Sequence, residues 1–498
     1  MNVIQTLSTK LKQLLQGNLL YETYFPQWQY LLESYVGGQE YRDANHLTRY
    51  QLETDNEYYA RLKTTPLENH CSSVISVYNS FLFRTEPNRD FGGLDRLPEL
   101  EDFLSDADFD GRTLNSFMKD VATWSSVFGH AWIIVSKPNV GAVTQADEQA
   151  MGVRPYVSLL TPMVVLDWEY QRQPSGRVEL VYLRYLEDAT GDIKTVKTWT
   201  KDTVTTTVVD TKKDQIHEEI IEVNGLGKIP AVCAYNGRSI IRGFGVSDIA
   251  DIADAQKFIY NATSEVEQSI RMDSHPSLVK TPETQAGIGA GSLIHMPENL
   301  DPGLKPYLLE FGGASIDSIY KSIEHAIASI DKMANTGAVR ATESRTMSGV
   351  AMETEFQLLN ARLSEKADNL ELAEEQMWKL WCEYMGTQWQ GEIDYPGSFN
   401  IRDTQKEIDA LVKAKSAATD PRVLAVIDHE IVEFLGEDGD LILPEIVTLQ
   451  DGTEVPADSA EPFDEPEELY NPATGDSGWV ISFQDKRDAM MAGWIEKE

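Results

Sequence analysis

The chain has 498 residues and carries 43 basic against 80 acidic side chains, which gives a formal net charge of −37 at pH 7. This length predicts about two to four domains, and so strong a negative charge argues against a protein that grips nucleic acid over its whole surface. No apolar run approaches the ~20 residues that cross a bilayer, and the amphipathic N-terminus is not expected to be a signal peptide.

The predicted secondary structure changes once within the first half of the chain. Residues 1–128 are predicted to be mainly helical, whereas residues 129–240 alternate as strands do and are punctuated by Ser175-Gly176, Thr190-Gly191 and Asn224-Gly225. The alternation predicts an antiparallel sheet with strands near 131–135, 156–160, 178–185, 193–199, 204–209 and 219–223. The basic and aromatic cluster at 41–50 suggests nucleic-acid binding, but so short a cluster favours a subunit-interface or loop role.

A long helix is predicted over residues 247–272. Ser247 can cap it, Asp248 suits the positive end of its dipole, and Pro276 prevents its continuation. A second long helix is predicted over 315–335. Each helix has one narrow apolar stripe that must be buried against a neighbour: Ile249, Ile252, Ile259, Val266 and Ile270 on the first, and Ile316, Ile319, Ile323, Ile327 and Ile330 on the second.

The segment between these helices, 275–313, is rich in proline and glycine, and its short apolar patches predict a small, partly stranded module. Its Gly287–Gly291 run superficially resembles a phosphate-binding loop, but Pro297 follows too soon for the helix that such a loop needs. A turn-rich loop is favoured.

The third long helix, over 350–385, gives the strongest periodic pattern, with apolar residues at steps of three and four. The segment before it, 336–349, reads as a mobile loop whose charges are Arg340, Glu343 and Arg345. At the other end of the chain, residues 423–485 contain 17 acids and no lysine or arginine, which predicts a solvated tail beyond residue 436.

This order of elements resembles the portal (head–tail connector) proteins of tailed bacteriophages. The stretch Thr346-Met347-Ser348-Gly349-Val350-Ala351-Met352 is similar to the S-G-V/I-A-L start of their long helix. The resemblance implies an α+β fold, mainly helical, with an antiparallel β wing subdomain, long stem helices and a small clip. Its parts would be a helical wing part (1–128), a β-rich wing part (129–240), stem helix 1 (241–274), a clip (275–313), stem helix 2 (314–335), a tunnel loop (336–349), a long wing helix (350–386), a helical crown (387–436) and an acidic C-terminal tail (437–498).

The resemblance also implies a function. Portal subunits would be assembled in the host cytoplasm into a ring, here of twelve copies, at one capsid vertex of the virion. Double-stranded DNA would pass through the ring during packaging and ejection, while the ring docks the packaging ATPase (terminase), a head–tail adaptor and a capsid or scaffold protein. Such a ring has a formal net charge of 12 × −37 = −444. Because DNA is also negatively charged, a duplex would slide past without adhering. Solubility or adaptation to salt would explain the same acidity.

The resemblance assigns roles to particular residues. Arg340 and Arg345 on the tunnel loop are expected to approach phosphate, with an intersubunit ion pair as the alternative. Lys280 and Lys305 are weaker candidates for contacts made by the clip. The two isoleucine-rich stripes are expected to pack against the stem helices of neighbouring subunits.

Two other classes of protein stay open: an acidic soluble enzyme from a salt-adapted cell and another virion structural protein. The chain lacks P-loop, zinc-protease and serine-hydrolase motifs, so we expect no enzyme. Cys71, Cys233 and Cys382 stand alone without metal-ligand spacing, and no cofactor or metal is expected. A particle mass near twelve times 55.9 kDa would separate a ring from a monomeric enzyme.

Overall fold

The computed structural model describes residues 8–140, 145–274, most of 277–309, 314–340 and 349–397, Phe399, and short segments between residues 411 and 496. The chain divides into two compact units, Met1–Asn400 and Ile401–Glu498. Helices and antiparallel strands together form the first unit, in agreement with the mixed fold class predicted from the sequence.

The N-terminal part of the first unit is helical, as the sequence predicts. Its helices begin at residues that can accept hydrogen bonds from free backbone amides: Asn18 caps α2, a Thr54–Glu57 capping box opens α4, and Thr113 caps α7. The helices are α1 (Thr9–Leu15), α2 (Leu19–Val36), α3 (Gly38–Asp43), α4 (Asp55–Thr64), α5 (His70–Leu82), α6 (Pro98–Ser105), α7 (Leu114–Phe128) and α8 (Gln145–Ala150), with a 3-10 turn at Gly92–Arg96.

Two antiparallel sheets follow. The three-stranded sheet has the order β3-β2-β9, and the five-stranded sheet is a meander in the order β4-β5-β6-β7-β8. The sequence prediction omitted β4 and β9, the strands in which polar residues or cysteine interrupt the simple alternation. The strands are β1 (Asn88–Asp90), β2 (His130–Ser136), β3 (Tyr156–Leu160), β4 (Val165–Arg172), β5 (Val178–Thr190), β6 (Ile193–Thr200), β7 (Thr203–Asp210), β8 (Gln215–Val223) and β9 (Ala231–Tyr235).

A glycine turn joins α7 to the three-stranded sheet. Gly129 has φ of 90°, in the left-handed region that glycine tolerates best. A Cβ atom there would lie 2.5 Å from the backbone of Gly245, so the close approach of these two segments requires glycine. The turn brings the start of β2 into contact with the segment that leads into the long helices, where the Gly245 amide donates to His130 Nδ1 at 3.3 Å.

The long helices lie where the periodicity predicts them. α9 spans Ala250–Ser274 and ends two residues before Pro276, α10 spans Ala314–Ala334, α11 is one turn at Gly337–Arg340, and α12 spans Gly349–Tyr384. α9 packs along α10. Between them lie two antiparallel pairs of short strands, β10 (Ser277–Val279) with β13 (Tyr307–Leu309) and β11 (Gln285–Ala286) with β12 (Ile294–His295).

The core of the first unit is built around α12. Its apolar stripe is buried from Leu359 to Met377, and Trp378 and Trp381 are fully enclosed at its C-terminal end. After α12 the chain returns as β14 (Glu392–Asp394), which pairs with β1. The first residues of the predicted helical crown are therefore partly a strand. None of the helices in the described part of the chain is long and apolar enough to cross a membrane.

The described part of the second unit contains strands where the sequence predicts a solvated tail. The acid-rich run at 461–468 lies largely within β17, and Leu469 in that strand is fully buried. The many acidic residues obscure the alternation of apolar and polar residues that would predict this strand. The strands are β15 (Ile446–Thr448) paired with β16 (Glu454–Pro456), and β17 (Pro462–Tyr470) paired with both β18 (Ser477–Ser482) and β19 (Ile495–Glu496).

Candidate functional site

The ends of α10 and α11 meet the start of α5, and Arg340 holds this junction together. Its Nη1 lies 2.9 Å from Asp331 Oδ1, and its Nη2 donates to His70 Nδ1 at 2.9 Å. The Arg340 side chain is only 12% exposed. The Tyr78 hydroxyl donates to the carbonyl of Ala334 at 2.6 Å, which fixes the same corner.

His70 is neutral at this junction. An arginine can only donate hydrogen bonds, so the His70 Nδ1 that faces Arg340 must be an acceptor. Burial and the nearby Arg340 charge lower the pKa of His70, although the Glu68 carboxylate at 3.4 Å from Nε2 acts in the opposite direction. The arginine therefore remains bound to the junction at neutral pH.

A second polar network joins the start of α9 to the middle of α12. The Asp248 carboxylate accepts from Lys366 Nζ at 2.5 Å and from Arg362 Nη2 at 2.7 Å. Lys366 also donates to Ser126 Oγ at 2.8 Å and to the side-chain oxygen of Asn236. α7, the segment after β9, α9 and α12 are thus connected through one ammonium group.

Two of the three charges in this network are almost completely enclosed, whereas the Arg362 side chain is 34% exposed. The side chain of Asp248 is 2% exposed and that of Lys366 is 6% exposed. Burial opposes ionisation of the carboxyl, but the Lys366 and Arg362 charges outweigh it and hold the pKa of Asp248 below its usual 3.8. Removing either partner of such a pair leaves an uncompensated buried charge. The network fixes the position of α9 relative to α12.

Sequence reasoning did not find either network. The sequence indicates Asp248 only as a favourable charge at a helix N-terminus. No local signal distinguishes a buried lysine at position 366 from its exposed neighbours. The partners Asp248 and Lys366 are 118 residues apart, so only the fold brings them together.

The residues predicted to contact DNA or partner proteins have different environments. Arg340 forms an ion pair, but its partner Asp331 belongs to the same subunit and not to a neighbouring one. Its DNA contact stays a prediction, and Arg345 lies outside the described residues. Lys280 and Lys305 are both exposed on the module between α9 and α10, where Lys280 Nζ donates to the carbonyl of Thr284 at 2.8 Å. Their role in partner binding stays a prediction.

The stripes on α9 and α10 are largely covered within one subunit, and their packing against a neighbouring subunit stays a prediction. Six of the ten predicted stem-packing residues are already buried within one subunit, so they have almost no apolar surface left for a neighbour to cover. Ile316, Ile319 and Ile327 are half-buried, and Ile270 is exposed. A periodic stripe predicts that a face is buried but not which chain buries it. The six are Ile249, Ile252, Ile259, Val266, Ile323 and Ile330.

Most of the exposed apolar residues of these helices lie outside the stripes. Phe258 on α9 is 50% exposed and Tyr320 on α10 is 47% exposed, and both helices have a further exposed apolar residue near their C-terminal ends. These large apolar side chains are available for contact with another chain. The further residues are Ile270 and Met333.

Residues of the basic and aromatic cluster at 41–50 make contacts within the subunit. Tyr41 is fully buried, Arg49 pairs with Asp55 at 2.6 Å, and the Tyr50 hydroxyl donates to Glu265 on α9 at 2.7 Å. These contacts join the N-terminal helices to α9, and they support the loop role rather than nucleic-acid binding. Among the described residues, no group of three or more histidines, cysteines and acids could hold a metal ion.

The chain matches a known protein family over most of its length. Residues 22–415 match the family model described as "Phage portal protein, SPP1 Gp6-like", and the chain belongs to this family of phage portal proteins. Members are structural components of the virion. The resemblance found in the sequence is therefore confirmed. No curated protein matches the chain.

The solved structures that are similar to the chain at low identity include three from gene transfer agent (GTA) particles. The neck of an empty GTA particle, computed with C6 symmetry, is 11% identical with a TM-score of 0.44, covering 79% of this chain and 99% of that one. The virion of a native GTA particle is 11% identical, with a TM-score of 0.42 and coverage of 80% and 98%. The neck of a native GTA particle with C12 symmetry is 10% identical, with a TM-score of 0.42 and the same coverage.

Proposed function

We propose that this chain is the subunit of a ring-shaped conduit, of twelve copies, through which double-stranded DNA enters and leaves a phage capsid at one vertex. The observation that carries the proposal is the family match over residues 22–415, which includes α9, the stranded module, α10, α11 and α12. Their order supports the assignment of α9 and α10 as stem helices and of the module between them as the clip.

The exposed apolar residues of α9 and α10 support ring formation. Phe258 and Tyr320 project from helices whose other faces are already buried, so each helix has one face committed to its own subunit and one available to a neighbour. A closed ring places the same two different surfaces together at every contact. We propose that Phe258 and Tyr320 lie in these contacts, in place of the buried isoleucines.

The exposed module between α9 and α10 is the proposed docking surface for the packaging ATPase and the head–tail adaptor. Lys280 and Lys305 are exposed cations on it, in a chain whose net charge is −37. They suit acidic patches on those partners. The wing is the proposed contact with capsid or scaffold protein. The ATPase, not this chain, would supply the chemical work of packaging.

The two arginines of the tunnel loop are proposed to have different roles. Arg340 is bound to Asp331 and His70, so it can anchor the start of the loop. Arg345 is the remaining basic candidate for contact with DNA phosphates. The surrounding acidity prevents strong adhesion, and a few cations at a constriction would limit slippage of the duplex without stopping it.

Arg345→Glu tests the DNA role. We expect about tenfold fewer DNA-filled particles, because a lost phosphate contact and a new like charge together cost about 1.4 kcal/mol or more. The measurement is the ratio of full to empty particles made with the variant in place of the native chain. Ring mass and thermal unfolding should be unchanged.

Arg340→Glu is the matched control. It places a second acid beside Asp331, so it should lower thermal stability as well as DNA content. If the Arg345 variant fills particles normally, or loses DNA only together with ring stability, the phosphate contact assigned to Arg345 is wrong.

A further inference from the structure

A basic groove of about 740 Å³ lies between the β4–β5 hairpin, β9, the loop at 238–242 and the C-terminal half of α12. Five cationic and two acidic side chains line it, although the chain as a whole has almost twice as many acids as bases. Such a local reversal of charge marks a surface that attracts an acidic partner. The cations are Arg177, Lys228, Arg238, Arg242 and Lys379.

Three of these cations are not neutralised by an acid. Lys228 pairs with Glu383 at 2.6 Å, and Lys379 pairs with Glu375 at 2.6 Å. The other acid in the groove, Glu179, is held by Lys201 at 3.1 Å. Within the described part of the chain, no ion pair involves the remaining three, which are all exposed: Arg177, Arg238 and Arg242.

An apolar projection stands between two of the free arginines. Ile240 is 101% exposed, so its whole side chain is in water, and Arg238 and Arg242 flank it two residues away on either side. The loop that presents them is well supported. Its end is fixed by the Gly243 amide, which donates to the Tyr235 hydroxyl at 2.8 Å, and by the Gly243 carbonyl, which accepts from the Tyr21 hydroxyl at 2.7 Å.

On β8, exposed acidic side chains flank exposed isoleucines, so the charges are opposite to those of the loop at 238–242. This strand is the edge of the five-stranded sheet, and Glu218, Ile220 and Glu222 lie on one of its faces because side chains alternate along a strand. All three are exposed. Ile221 and Val223 on the other face are exposed as well, at 65% and 86%. A long edge strand with exposed apolar side chains is a ready template for pairing with another chain.

The two surfaces carry opposite charges around a similar apolar centre. The loop has the sequence Arg-Ser-Ile-Ile-Arg at 238–242, and β8 has Glu-Glu-Ile-Ile-Glu at 218–222, so charges of opposite sign flank the same pair of isoleucines. A nucleic-acid ligand would use the arginines but would leave Ile240 in water. An acidic strand with central isoleucines satisfies both features.

We propose that the groove, with Ile240 at its rim, binds β8 of a second copy of this chain. The groove lies beside β4 and β5, whereas β8 is the opposite edge of the same sheet, so the contact joins two different surfaces. Repetition of such a head-to-tail contact closes into a ring when the rotation between copies allows it. The inference rests on the proposed ring and names one of its contacts.

Two charge-reversed variants test this contact: Arg238→Glu/Arg242→Glu in the groove and Glu218→Lys/Glu222→Lys on β8. Each variant alone places like charges together at every contact, so the protein concentration at which half of the chains assemble should rise at least about tenfold. A mixture of the two variants at equal amounts should assemble within about threefold of the native chain, because alternating copies restore every charge pair. Light scattering measures the particle mass in each case.

Control variants are Arg96→Glu and Glu101→Lys, which make the same types of substitution, one charge reversal each, at exposed positions outside both surfaces. They should assemble like the native chain. Recovery in the mixture also shows that both variants fold. If either variant alone assembles normally, or if the mixture does not recover, the proposed contact is wrong while the ring itself stands. If the variants assemble normally but retain less duplex DNA, the groove binds nucleic acid instead. A native chain that stays monomeric would contradict the ring proposal, not this contact alone.

Discussion

Replacing Asp248 with alanine is expected to lower the free energy of unfolding of the first unit by about 3–5 kcal/mol. The variant removes the carboxylate that pairs with Lys366 and Arg362, and it leaves an ammonium group that is only 6% exposed without a counter-charge. Denaturant unfolding followed by tryptophan fluorescence measures the loss, because Trp132, Trp378 and Trp381 are fully buried in this unit.

The loss in Asp248→Ala should depend on pH. Burial lowers the pKa of Lys366 from its usual 10.5, and without the carboxylate it falls further. Between the folded and unfolded pKa values the folded chain then binds fewer protons than the unfolded chain, so its stability rises with pH. The destabilisation should therefore be larger at pH 6 than at pH 10.

Two controls separate the buried pair from a general effect of losing a charge. Asp251→Ala removes an exposed acid one turn further along α9, and it should change stability by no more than about 0.5 kcal/mol. The double variant Asp248→Ala/Lys366→Met should be less destabilised than the sum of its single changes, since both members of the pair are gone. Additive losses would mean that the two groups do not interact.

Phe258→Glu is expected to abolish ring assembly. Phe258 is half exposed in the isolated subunit, and the proposal places it against a neighbouring α9–α10 pair. A carboxylate buried there without a partner costs several kcal/mol per contact, and every subunit of a ring makes two such contacts. Light scattering should report about 55.9 kDa for the variant instead of a mass near twelve times that value.

Tyr59→Glu is the matched control, because it makes the same aromatic-to-acid change on the exposed face of α4, outside the stem helices. It should leave the ring mass unchanged. Thermal unfolding should be the same for both variants, since neither side chain belongs to the core. If the Phe258 variant still forms full-size rings, the assignment of α9 to the contact between subunits is wrong.

Much of the helical architecture could be predicted from the sequence. The bounds of α9, α10 and α12 agree with the periodicity to within a few residues, because steps of three and four and the position of Pro276 are local properties. The partner of a stripe is not local. Ile252 and Ile330 have the pattern expected of an intersubunit contact, yet the subunit buries them itself.

The candidate site was less predictable for the same reason. Arg340 is recognisable as a cation in a loop, but its contact with His70 joins residues that are 270 positions apart. The acids of 461–468 predicted a solvated segment because charge obscured the apolar alternation of β17. Likewise, the matching patterns at 218–222 and 238–242 gain meaning only when both are known to be exposed.

Electron microscopy of the purified full-length chain, reconstructed without imposed symmetry, tests the central claim most directly. The account predicts a closed ring in which α9 and α10 of adjacent copies stand side by side around an opening wide enough for a B-form duplex. Single subunits or open dimers at the concentrations of particle assembly, or a ring in which α9 and α10 face solvent with no neighbouring copy beside them, would contradict it.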